Sequence, residues 1–295
     1  MRRALLLLAL IAGVVGPAAA SVSLGLAGDS EMLWPVSWLA WAPVGYVILL
    51  RRPGNGVGAA TLLVGTTMGV SFLAYLAIAE TGGLSLDFRT WAEMVNLIAG
   101  VAPWLGIVWL LLVFPSGNLR GRGERWAGGA VIFVAIVAAA AFMVSSEPMD
   151  ATGVPSPLAI PALDDLSAFI VVGPGFFLVV VLLLVSLVLL VLRMRRSSGV
   201  EREQFRWLFF GGLLFALVVL SAQFLPEDTP GRFLFLPAGW AIPVTIGVAM
   251  TRYRLYEIDR IISRTVTYTL VVALLAAVFF GLVTVLAGVL SPDQP

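Results

Sequence analysis

The sequence predicts an all-α polytopic membrane protein, a bundle of about nine transmembrane helices. Three observations carry that prediction. The mean hydropathy is +1.02, with only 12% of residues charged. Apolar runs longer than about 18 residues recur, the length that crosses a bilayer as a helix. The interruptions between those runs are short, and alternate ones carry the arginines.

Taken in chain order, the first span is Ala4–Leu26, entered through Arg2 and Arg3. The stretch MRRALLLLALIAGVVGPAAA also has the basic start and the small residues, Ala18 to Ala20, of a cleavable signal peptide. Cleavage would leave eight spans, whereas apolarity continuing through Leu26 favours a retained anchor. The next spans are Leu33–Leu50, Gly58–Ala79, Met94–Phe114 and Ala127–Val144. After the longest loop, Ser145–Asp165, rich in proline and acid, come Leu166–Leu192, Trp207–Leu225, Phe233–Thr251 and Val266–Val289. No soluble catalytic domain fits, so residues 1–295 read as a single transmembrane domain.

All 18 basic residues are arginine, and 16 of them fall on one set of alternate loops; only Arg89 and Arg232 fall on the other. That other set holds most of the acids, among them Glu80, Asp87, Glu93, Asp164 and Asp165. By the positive-inside rule the arginine side faces the cytoplasm, which places the N-terminus inside.

Composition also excludes chemistry. The chain has no Cys and no His, which removes disulfides, thiolate or imidazole metal ligands and the commonest general base. The absence of Lys removes Schiff-base and P-loop lysines. No cofactor, metal or nucleic acid is expected, and the lipid bilayer is the one partner that composition demands. No acid or arginine lies near the middle of any expected span, which disfavours proton or ion pathways.

One charged segment separates two apolar runs. RYRLYEIDRIISRT, residues 252–265, carries six charges in fourteen residues. Burying them would cost roughly 15 kcal/mol at about 2.5 per charge, so the segment lies outside the hydrocarbon, on the arginine side. Read as a helix, Leu255, Ile258, Ile261 and Ile262 share a face, while Arg252, Asp259, Arg260 and Arg264 point away. Glu257 stands three residues from both Arg254 and Arg260, a spacing that supports a helix. With Tyr253 and Tyr256 it forms a candidate amphipathic coupling segment. The plain alternative is a charged elbow that only satisfies topology.

RYRLYEIDRIISRTVTYTLVVALLAAVFFGLV resembles the membrane-to-cytoplasm segment of bacterial multi-pass sensor histidine kinases of two-component systems. Three further stretches agree in order and side: RRPGNGVG at Arg51–Gly58, VFPSGNLRGRGERW at Val113–Trp126, and RRSSGVEREQFRW at Arg195–Trp207. The resemblance implies a membrane sensor, or input, region in a bacterial cytoplasmic membrane. In such kinases a further span, a phosphorylated histidine and an ATP-binding domain follow. This sequence has no histidine, so the expectation is signal input without catalysis. Nine spans would leave Pro295 outside, which is read as truncation or as a standalone membrane subunit. The resemblance further implies a homodimer, and a kinase or response-regulator output supplied elsewhere.

Other readings remain. Arg193–Arg206 either holds anionic lipid headgroups or serves topology alone, and Phe114–Gly117 reads as a helix stop. Pro103, Pro174, Pro237 and Pro243 are candidate kinks. Glu80, Glu93, Asn96 and Trp104 form a candidate outer pocket. A small-solute or lipid transporter is the alternative from another class, although no internal repeat supports it.

Overall fold

A computed structural model describes residues 2–26, 33–79, 84–149, 151–172, 174–222 and 235–251. The chain divides into two units, Met1–Arg252 and Tyr253–Pro295. Every described residue belongs to the first. The coupling segment Arg252–Thr265, the expected span Val266–Val289 and the pocket candidate Glu80 lie outside the described residues.

The described residues form ten α-helices and no strand. They are α1 (Arg2–Leu26), α2 (Leu33–Val36), α3 (Trp41–Arg51), α4 (Gly56–Ala79), α5 (Leu86–Val113), α6 (Arg122–Val144), α7 (Asp164–Val172), α8 (Pro174–Arg196), α9 (Gly199–Ala222) and α10 (Phe235–Thr251). Five are long and apolar enough to cross a membrane: α1, α4, α5, α6 and α8. The chain is a helical membrane protein.

One expected span is not a single helix. Leu33–Leu50 divides into α2, a turn and α3, because Pro43 has no N–H for the carbonyl of Leu39 and its ring crowds that carbonyl. The turn closes with bonds of i to i−3 type, from the amides of Ser37, Trp38, Leu39 and Trp41 to the carbonyls of Trp34, Pro35, Val36 and Trp38. Leu166–Leu192 corresponds to α7 and α8, with residue 173 between them outside the described residues. The expected spans Trp207–Leu225 and Phe233–Thr251 correspond to α9 and α10, which do not count among the five.

Helix α4 sits at the centre and packs on α1, α3 and α5. It is apolar on every side, with Leu63, Leu73 and Tyr75 left exposed on the face away from these partners. Its Gly65 and Gly69, four residues apart, meet Gly13 and Gly16 of α1, and a Cβ on Gly16 would overlap the Gly69 carbonyl. Such a small-residue stripe lets backbones approach in a membrane, where no hydrophobic effect drives helices together. Thr66 reinforces the contact by donating to the Ala9 carbonyl, 3.0 Å away. Beyond α4, α10 packs on α9 and α3, while α5, α6 and α8 pack on one another.

Candidate functional site

The site grows from the end of α5. Four carbonyls at a helix C-terminus lack intrahelical donors, and in a membrane each needs another partner. Phe114 N–H serves Leu110, and Gly117 N–H serves Val113. Leu111 would be served by residue 115, but Pro115 has no N–H. The Arg193 guanidinium, arriving from α8, fills that gap. It donates to the carbonyls of Leu111 and Leu112, and at 2.8 Å to that of Phe114. One side chain thus caps the helix that proline ends.

The positive charge of Arg193 is answered by Glu124, which is 7% exposed and lies 3.5 Å from its Nε. The other carboxylate oxygen of Glu124 accepts from the amides of Arg120 (2.7 Å) and Gly121 (3.2 Å). That caps the first turn of α6, where a carboxylate is also favoured by the helix dipole. Arg193 and Glu124 together join the end of α5, the start of α6 and the end of α8.

Three of the four quoted stretches meet here. In RRPGNGVG, Asn55 Oδ1 accepts from the amides of Val57 and Gly58 and so caps α4. Gly117 of VFPSGNLRGRGERW abuts Asn55 and Gly56 with a φ of +80°, a position where a side chain would be both strained and blocked. From RRSSGVEREQFRW, Phe205 packs edge-to-face on Phe114 with ring centroids 5.7 Å apart, and both rings are buried. Glu201 pairs with Arg120 at 3.1 Å on the surface. Gln204 Nε2 donates to the Ala249 carbonyl at 3.0 Å, which ties α9 to the last turn of α10. A cleft of about 370 Å³ lies between these elbows, lined by Ser116, Arg120, Glu124, Arg193, Arg196 and Glu201 among others. The fourth stretch, Arg252–Thr265, lies outside the described residues.

At the opposite, acidic end the expected outer-pocket residues have other partners. Glu93, 3% exposed, accepts from the amides of Ala151 (2.7 Å) and Thr152 (2.8 Å) and holds the long loop on α5. Asn96 Oδ1 accepts from Ser71 Oγ at 2.7 Å, joining α5 to α4. Trp104 meets Trp38 edge-to-face, centroids 6.2 Å apart. It lines a separate cavity of about 570 Å³ between α5, α6, α7 and α8. Neither of these two cavities contains Glu93 or Asn96. The long loop is itself hydrogen-bonded, with Asp164 accepting from the hydroxyl and amide of Ser146. These bonds hold the Asp164 carboxyl below its ordinary value, the hydroxyl first and the amide second.

Comparison of the chain with protein-family models, curated proteins and solved structures finds no match.

Arg193 and Glu124 are the pair that sequence reasoning missed as a site. Arg193 reads as one more topological arginine beside Arg195 and Arg196, and Glu124 as one acid in a basic elbow. The signal available was Pro115, which removes a donor at a helix end and so demands a replacement. No group of acids that would hold a metal ion occurs among the described residues.

Proposed function

We propose that this chain is the membrane-embedded input module of a bacterial two-component sensor histidine kinase, oriented with its arginine-rich end in the cytoplasm. The observation that carries the reading is the convergence at one end of three of the four stretches that resemble such sensors. They interlock through Arg193, Glu124, Phe114 and Phe205. Their last contact, Gln204 on Ala249, fixes the last turn of α10, which precedes Arg252–Thr265 in sequence. In this reading the elbow cluster sets the position of α10, and displacement of α5 or α8 within the membrane passes through it to the coupling segment. Catalysis lies on another polypeptide or domain, since this sequence offers no histidine to phosphorylate. The bilayer is the chain's medium. A homodimer and a separately supplied kinase or response-regulator output complete the proposal.

Signalling tests it. The full chain is fused through a further span to a histidine-kinase output domain, and variants are compared at equal membrane abundance. Gln204→Leu removes the tie to α10 and should shift kinase output at least threefold. Arg195→Met, at an exposed arginine beside the cluster, should leave output unchanged. Equal output from both variants would sink the coupling role.

Orientation is tested separately in this cysteine-free chain. Ser198→Cys should resist, and Leu158→Cys accept, an impermeant maleimide on intact cells. The reverse pattern would overturn the topology.

A further inference from the structure

We propose that the cavity between α5, α6, α7 and α8 binds one hydrocarbon chain of a membrane phospholipid, drawn from the leaflet at the acidic end. Its lining comes from α5 (Val101, Trp104, Leu105), from one face of α6 between Phe133 and Phe142, from Ile170 of α7 and from α8 between Leu178 and Leu183. The Trp104 indole is the sole polar side chain among them. A polar solute would leave its own hydrogen-bonding groups unsatisfied there, whereas a hydrocarbon chain loses nothing. The volume, about 570 Å³, falls within the range of roughly 300–1,000 Å³ usual for ligand sites.

Depth selects one leaflet. From Phe133 to Phe142 the lining runs about 14 Å along α6 at 1.5 Å per residue, about half of a hydrocarbon core roughly 30 Å thick. The deep end lies about 12–17 Å from the arginine-rich end on each of three helices, counted from Val113 to Leu105, from Arg122 to Phe133 and from Arg193 to Leu183. That is mid-membrane. The other end stops beside Phe142, two residues short of the end of α6 at Val144. Phe133 and Leu178 keep exposed faces on the lining, 64% and 38%, so the cavity opens sideways. Around spans of this hydropathy, what lies at that opening is lipid.

Small side chains make the space. The run Ala138 to Ala141 leaves α6 without bulk where α8 passes, and Ala138 lines the cavity with Val179 and Leu183. Left empty, these walls would forfeit their contacts on one side, and a chain laid along them restores those contacts. The helices so wedged, α5, α6 and α8, are the three joined at the far end by Arg193 and Glu124. That consequence rests on the sensor reading; the binding itself does not.

The test uses the purified full chain in nanodiscs containing a phospholipid with a diazirine at mid-acyl chain. After illumination, adducts are mapped by mass spectrometry. Adducts should concentrate on Ala138, Val179 and Leu183 at least threefold over Ile136, which is 64% exposed, lies at similar depth and is not part of the lining. Filling the cavity by Ala138→Trp, or independently by Val179→Trp, should cut adducts on the other lining residues at least fivefold while Ile136 labelling persists. Persistence at Ile136, with unchanged helical circular dichroism, separates displacement from misfolding. Labelling spread evenly over cavity and outer faces, or unaffected by either tryptophan, would overturn the site. The assay contains no output domain, so loss of signalling in the kinase fusion would leave this result standing.

Discussion

At the arginine-rich end, a half-buried guanidinium serves helix carbonyls that lack donors. At the acidic end, a buried carboxylate serves loop amides that lack acceptors. Arg193 and Glu93 thus answer the same requirement, that polar backbone near hydrocarbon be satisfied, with opposite charge. The difference is in what each one joins. Arg193 binds the end of α5 and, through Glu124, the start of α6, and it brings the end of α8 with it. Glu93 binds a helix to a single loop. The arginine-rich end is therefore framework, and the acidic end is a cover fastened at points.

The largest effect should come from breaking the framework. Arg193→Met leaves Glu124 buried without its partner and strips the donors from Leu111, Leu112 and Phe114, so a loss of about 3–5 kcal/mol is expected. Reversible unfolding in mixed micelles measures it. Arg193→Lys should recover only part of the loss, because one compact ammonium cannot replace a planar fork that reaches several carbonyls and a carboxylate.

A smaller loss, about 2 kcal/mol, is expected from Glu93→Leu, which removes two charge-assisted bonds. Hydrogen exchange should quicken at Ala151 and Thr152 while the amides of α6 keep their protection. Equal loosening of loop and helices would erase the proposed contrast between cover and framework.

The smallest effect concerns Asp164 at the start of α7. Its carboxyl is held below the ordinary 3.8 by Ser146. The sign follows: a depressed pKa contributes order that is complete above 3.8 and is lost as pH falls through the lowered folded value. A carboxyl carbon titration by NMR should show Asp164 moving back towards 3.8 in Ser146→Ala, with the core helices unchanged.

Hydropathy located the membrane parts of helices better than the helices themselves. The end of α6 at Val144 was legible, because apolarity and helix stop together there. Helices α5 and α9 begin about two turns before their apolar stretches, since LDFRTWAE and GVEREQFR continue the helix through polar residues. The break between α2 and α3 was written in Pro43, but a run of apolar residues conceals it from any average over a window. At the site, Pro115 and Gly117 were legible as a helix stop. The partner of that stop was not, because Arg193 is far away in sequence and nothing local distinguishes it from Arg195. Likewise Glu93 and Asn96 are polar residues near the end of an apolar run, which suits a pocket and a tether equally well; their tertiary partners, Ala151, Thr152 and Ser71, are far away in sequence and leave no local sign.

The central claim is that the arginine-bearing elbows form one cluster organised by Arg193 and Glu124. A double-mutant cycle with Arg193→Met and Glu124→Gln, read by reversible unfolding of the full chain in mixed micelles, tests it most directly. Residues in one buried network couple by about 0.5–3 kcal/mol, so the double variant should be less destabilised than the sum of the singles by at least about 1 kcal/mol. Losses that add to within about 0.3 kcal/mol would mean that Arg193 and Glu124 act independently, and would contradict the account.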